Sequence, residues 1–204
     1  TKEGISAILG NFSVESGINP KRAEGDYLNP PVGAHGNSWD EPSWLSMGGP
    51  QIYGGRFPNI LHRGLGLGQW TDTADGGRRH TLLLDYAKGK NKKWYDLQLQ
   101  LDFIFDGDAP GSRTAADNVA RSKVAATIPE LTTYFLTVWE GNPGDKLGER
   151  IQVAQNWFTF FSRSGTPIGG SGSEVFAQYK EKMQPLPTDR ETKAGQGWPG
   201  NAYA

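Results

Sequence analysis

Gly10-Asn11-Phe12-Ser13-Val14-Glu15-Ser16-Gly17-Ile18-Asn19-Pro20 is the stretch that decides the fold class. It closes an amphipathic helix and sets one carboxylate on that helix's apolar side. Upstream, Ile5, Ile8, Leu9 and Phe12 recur at helical spacing and form a single stripe. At about 100° per residue, Glu15 lies roughly 20° round the axis from Ile8, so it points inward with the stripe. Ser16-Gly17 and then Asn19-Pro20 supply the stop. A carboxyl so placed is partly desolvated and sits at the negative end of the helix dipole, and both effects favour the protonated form. That is the profile of a general acid working near neutral pH. The alternative is a helix-end carboxylate that turns aside to pair with Lys2, Lys21 or Arg22.

The second informative stretch is Gly64-Leu65-Gly66-Leu67-Gly68-Gln69-Trp70-Thr71-Asp72. Its glycines allow backbone to approach a ligand closely and permit dihedrals closed to other residues. The amide, indole, hydroxyl and carboxylate that follow suit a sugar better than an ion. No Lys-Ser/Thr follows the glycines, so this is neither a phosphate loop nor a dinucleotide fingerprint. A glycine-rich hairpin with a packed Trp is the structural alternative.

Outward from these two stretches the pattern is helical. Helices are expected at about 2–16, 78–88, 94–106, 113–125, from Ile128 onward, and at about 146–162. Ile128-Pro129-Glu130 reads as a helix start with Pro in the first turn, turning Leu131, Phe135 and Val138 inward. The last helix is expected to bury Leu147, Ile151, Ala154, Phe158 and Phe161. Residues 17–63 read as one long loop, too long for a mere connector. Tyr27, Trp39, Trp44, Tyr53 and Phe57 should order it as one wall of a groove, with Asp26, Asp40 and Glu41 as candidates for electrostatic or water-positioning roles. No segment alternates with period two for long, so any sheet is small. The fold class is mainly α, with the core domain over 1–163.

Composition narrows the function. The chain has 204 residues, a net charge of −1, 28 Gly, 13 Pro and no Cys. It is long enough for a real core, and disulfide and thiol chemistry are excluded. The charge and the lack of a basic, aromatic-interleaved patch disfavour nucleic acid. No apolar run approaches a membrane span. His35, His62 and His80 lack metal-ligand spacing, so neither a metal nor another cofactor is expected. A peptidase would need a nucleophile–His pair at a recognisable spacing, and none is visible.

Taken together, the motifs resemble the lysozyme-like superfamily. Glu15-Ser16-Gly17 is similar to the Glu-Ser helix end of soluble lytic transglycosylases and goose-type lysozymes, and Gly66-Leu67-Gly68-Gln69 to their Gly-Leu-Met-Gln turn. The chain most resembles the phage tail lysozyme family of peptidoglycan hydrolases over about residues 3–162. Ala7 to Phe12, Arg78-Arg79 before Leu82-Leu83-Leu84, Trp94-Tyr95-Asp96-Leu97, Trp139-Glu140-Gly141 and Glu149-Arg150-Ile151 carry that likeness in order. The long spacer between Glu15 and the glycine turn departs from the soluble transglycosylases.

The resemblance implies cleavage of a β-1,4 bond in the amino-sugar backbone of peptidoglycan, with Glu15 as general acid. In an inverting hydrolase a second carboxylate activates water from the opposite face. Asp72 is the candidate, with Asp75 in reserve. Without it, Glu15 alone could act as acid and then base while a muramic hydroxyl attacks, leaving an anhydro product. Gly68, Gln69, Trp70, Thr71, Tyr27, Arg78 and Tyr134 are the candidate substrate contacts, and Arg79 could meet a carboxylate of the wall. The rival class is a glycan-binding or phage tail module without turnover.

Residues 164–194 read as a Gly/Ser-rich linker with a short docking helix. Residues 195–204 resemble the lead-in to a cysteine- and histidine-dependent amidohydrolase (CHAP) domain. The expected setting is the N-terminal half of a bifunctional hydrolase acting at the cell wall, secreted or carried on a phage tail.

Overall fold

The computed structural model describes residues 1–26 and 38–163. The expectations for Tyr27, for the linker and docking helix, and for the CHAP lead-in fall outside these residues.

The first helix, α1 (Lys2–Ser16), forms the centre of the domain. Thr1 caps it by accepting the Gly4 N–H at 3.0 Å. Every residue from Gly4 to Phe12 is buried, because helices close round it on several sides. They are α6 (Pro110–Ala120), α7 (Ile128–Tyr134) and, most extensively, α8 (Leu147–Arg163). At the α1–α8 crossing a Cβ on Gly10 would stand 2.6 Å from the Ala154 side chain. Glycine there lets the two helices approach closely enough for side chains of α8 to reach Glu15. The stop comes where expected: Gly17 is left-handed (φ 64°), and its region returns N–H groups to the Phe12 and Ser13 carbonyls.

The expected loop at 17–63 is more structured than its sequence pattern shows. It holds a 3₁₀ turn (Ser38–Asp40), two four-residue helices, α2 (Pro42–Leu45) and α3 (Gly49–Ile52), and the strand β1 (Ile60–Leu65). Pieces this short carry too little periodicity to be read. β1 pairs antiparallel with β2 (Trp70–Thr73), and an isolated bridge between Ala23 and Leu65 lays the loop's start along β1. The mainly α class with a small sheet is what the sequence predicts.

Helices α4 (Arg79–Gly89) and α5 (Leu97–Asp106) follow the expected positions. The helix expected at 113–125 starts earlier, because Pro110 occupies its first turn. Two inward faces differ from expectation. After α7 the chain continues as a π-helical turn, Phe135–Trp139. Its extra residue per turn advances the phase, burying Leu136 and Trp139 and leaving Val138 half exposed (51%). In α8 Ala154 and Phe161 are buried as expected, but Arg150 and Trp157 take the buried positions expected of Leu147, Ile151 and Phe158. An arginine therefore holds a core position.

Among the described residues, no helix is long and apolar enough to cross a membrane.

Candidate active site

A cleft of about 400 Å³ opens between the end of α1, the hairpin, and the turn after Trp139. That lies within the range of about 300–1,000 Å³ usual for ligand pockets. Glu15, Glu24, Asp26, Gln69, Thr71, Arg79 and Glu140 are among its walls.

Glu15 keeps 9% of its side-chain surface accessible at the cleft. It pairs with an arginine far away in sequence, on α8. The Arg150 Nη2 donates to Glu15 Oε2 at 2.8 Å, while Nη1 donates to Glu140 Oε2 at 3.0 Å and Oε1 at 3.2 Å. The same guanidinium donates to Asn11 Oδ1 at 3.3 Å and, through Nε, to the Asp145 carbonyl at 3.2 Å. Asn11 and Glu15 are one turn apart on α1, so the helix presents both to α8. Burial, and then the nearby charge of Glu15, raise the Glu140 carboxyl well above the ordinary range, against the pull of Arg150 and Arg79. Burial opposes the charge of Arg150, but Glu140 and Glu15 more than offset it.

A second acidic pair lies on the wall formed by residues 22–26. Glu24 accepts the Gly64 N–H at 3.0 Å and the Tyr53 hydroxyl at 3.0 Å. Asp26 accepts the Ala23 N–H at 3.2 Å and pairs with Arg22 at 3.5 Å. Burial raises both carboxyls, against these hydrogen bonds and the charges of Arg22 and Arg63.

Residues 1–161 match the family described as phage tail lysozyme. The chain belongs to that family. No curated protein and no solved structure matches it significantly. As a phage tail lysozyme domain it is a peptidoglycan-lytic enzyme of the glycosidase kind, associated with phage and acting on the cell wall.

The hairpin of this lysozyme domain sorts the expected contacts by strand alternation. Thr71 and Thr73 face the cleft, whereas Trp70 and Asp72 turn to the other side. Trp70 is wholly buried, packed edge-on to Phe103 and Trp139, and its Nε1 donates to Asp108 at 3.3 Å. It is a core residue and does not meet a sugar in the cleft. Asp72 is also buried and is not among the cleft residues. It joins His62 Nδ1 at 2.8 Å and accepts the Thr81 hydroxyl and the Thr81 N–H at 3.1 Å, fastening the start of α4 to the hairpin. Burial would raise its carboxyl, but the bonds from His62 and Thr81 outweigh that and hold it low.

Two of the glycines stand close to protein. A Cβ on Gly66 (φ 73°) would meet the Gln100 amide at 2.5 Å, and one on Gly68 would meet Trp139 Cη2 at 2.4 Å. Gln100 fastens the turn by accepting the Leu67 N–H at 2.9 Å and donating to the Pro20 and Trp94 carbonyls at 2.8 Å each. Gln69 has φ 45°, and its amide donates to the Gly66 carbonyl at 2.9 Å. Gly68, Gln69 and Thr71 do reach the cleft, as does Asp75 at its rim.

Of the remaining candidates, Arg78 is exposed and precedes α4, and Tyr134 packs against the core; neither lines the cleft. Arg79 does line it, but its guanidinium is held by Asp108, by the Trp139 carbonyl at 2.9 Å and by the Trp139 ring at 4.0 Å. Asp40 pairs on the surface with Lys93, and Glu41 is exposed. His80 Nδ1 meets the Arg63 carbonyl at 2.7 Å. Among the described residues, no three His, Cys, Asp or Glu side chains are grouped to hold a metal ion.

Sequence reasoning placed Glu140 and Arg150 in the family pattern without giving them a role. The missed signal was Arg150 itself, which falls on the stripe with Ala154, Trp157 and Phe161.

Proposed function

We propose that this domain is a muramidase in which Glu15 protonates the departing glycosidic oxygen. One observation carries the reading: Glu15 is a nearly buried carboxyl on the cleft wall, next to the Gly68–Gln69–Thr71 edge. A site for glycan binding alone has no use for a desolvated acid. As the bond breaks, the electron pair goes to the leaving oxygen, positive charge grows on the ring carbon, and Arg150 receives the Glu15 carboxylate that forms.

We assign the water-activating role to Asp26, which the sequence put forward as a candidate and which shares the cleft. Asp72 we assign to holding α4 against the hairpin. Gln69, Thr71 and the backbone at Gly68 supply sugar contacts. The enzyme then works outside the bacterial cytoplasm, on the wall, secreted or carried by a phage tail.

The position of Asp72 away from the cleft favours one competing reading, lytic transglycosylation with Glu15 as acid and then base. Mass spectrometry of glycans released from purified peptidoglycan separates the two. Reducing muramic ends, lost in Asp26→Asn, are expected. Anhydro-muramic ends would replace the hydrolase reading by the transglycosylase one. Reducing glucosamine ends would place the cut at the other linkage, and binding without release would leave a glycan-binding module.

A further inference from the structure

Among the described residues, Arg22 and Arg79 are the arginines on the cleft walls, and they differ in what they can offer a ligand. Arg79 is occupied by protein: Asp108, the Trp139 carbonyl and the Trp139 ring hold its guanidinium. The Arg22 side chain meets Asp26 alone among the described residues, its Nε standing 3.5 Å from Oδ1. That is an ion-pair contact, longer than a good hydrogen bond. The Oδ1 it faces is buried and accepts no hydrogen bond. The Arg22 side chain keeps 35% of its surface accessible, so its N–H donors remain available to a ligand. Its backbone, by contrast, is fixed. The Arg22 carbonyl accepts the Gly66 N–H at 2.8 Å, and its N–H donates to the Asn19 carbonyl at 3.1 Å.

A loosely held cation on a fixed stretch of backbone has a task in this cleft. Glu24, Asp26 and Asp75 line it beside Glu15 and Glu140, so a substrate carboxylate enters among acidic groups and needs a cation to meet it. Peptidoglycan carries such carboxylates. Muramic acid has a lactyl carboxyl, free on bare strands; where a stem peptide is attached through it, the peptide brings carboxylates of its own. N-acetylglucosamine has none. A planar guanidinium takes a carboxylate through two parallel hydrogen bonds. We propose that Arg22 is a specificity residue, which takes a carboxylate on the muramic side of the strand and orients that sugar against the 22–26 wall.

This rests on the cleft being where the glycan is cut, and it ties recognition to the role given to Asp26. Burial raises the Asp26 carboxyl, and Arg22 is the strongest opposing influence. When Arg22 turns to the substrate, Asp26 becomes the stronger base for taking a proton from water.

The test is isothermal titration of soluble glycan strands, bare and peptide-bearing, each also with its carboxyls converted to amides. Glu15→Gln is compared with Glu15→Gln plus Arg22→Gln, so that the strands stay intact. Arg22→Gln should weaken binding about tenfold or more on the strand whose carboxylate it meets. That is the bare strand for the lactyl group and the peptide-bearing strand for the stem peptide. Amidation should weaken binding by a similar factor where Arg22 is present and change little where it is replaced. No loss on either strand, or a loss that persists on amidated strands, would overturn the proposal. If the double variant does not fold, the amidation series with Glu15→Gln decides, and affinity unchanged or improved by amidation would overturn it. Cleavage of the strands by Glu15→Gln would instead remove the acid assignment, whatever the affinities show.

Discussion

Arg79 and Arg150 grip neighbouring residues, Trp139 and Glu140, yet the two clusters are built to different rules. Arg79 meets one carboxylate, Asp108, through Nε at 2.8 Å and a second bond from Nη2. Asp108 also accepts the Trp70 indole and the Ala109 N–H. One positive charge faces one negative charge, and every partner helps to hold the hairpin, α4 and the Trp139 turn together. Arg150 faces two carboxylates, and both reach the cleft. The first arrangement ties the hairpin, α4 and the Trp139 turn together; the second brings two carboxyls of the cleft onto one cation.

Removing the cation that Glu15 and Glu140 share should have the largest effect. Arg150→Leu takes an ion-pair partner from two nearly buried carboxylates, and stability should fall by about 3–5 kcal/mol, measured by urea unfolding. The Arg79 cluster should respond differently. Asp108→Asn should cost about 2–3 kcal/mol while the folded fraction keeps the wild-type pH profile of lysis. A shifted profile there would erase the distinction drawn between the two arginines.

Gly68→Ala tests whether the glycine turn serves its own core. The added methyl meets Trp139 at 2.4 Å, so overpacking should cost about 2 kcal/mol and lower lysis through displacement of Trp139 and Glu140. Asp72→Asn should have the smallest effect, about 1–2 kcal/mol, with little change in activity per folded molecule. Its sign with pH follows from the lowered carboxyl of Asp72. The stabilisation is present above the unfolded value of about 3.9 and is lost as pH falls through the folded one. Wild type and Asp72→Asn should therefore differ in melting temperature at pH 6 and converge in strong acid.

The sequence made α1 and the inward placement of Glu15 legible because both rest on local rules: a stripe at helical spacing and a glycine stop. The other helices could be placed for the same reason, to within a few residues. The hairpin was harder. Glycines that open a turn toward ligand and glycines that admit Gln100 or Trp139 read alike along the chain, and only tertiary packing separates them. Trp70 and Asp72 were assigned to the wrong side because β2, at four residues, is too short to reveal its alternation. Glu140 and Arg150 lie 125 and 135 residues beyond Glu15, so only the closing of α8 on α1 brings the three together. Arg150 was still traceable in principle: an arginine at a core position of α8 implies a buried anion opposite.

The central claim is that Glu15 supplies the proton, and Glu15→Gln tests it most directly. That substitution keeps the side chain's size and an oxygen for Arg150 to bond, and Arg150 retains Glu140 and Asn11, so helicity and melting temperature should hold. The measurement is release of new glycan ends from purified peptidoglycan, wild type against Glu15→Gln. The account predicts release by wild type and none above background by the folded variant. Release at the wild-type rate by a folded Glu15→Gln would contradict it.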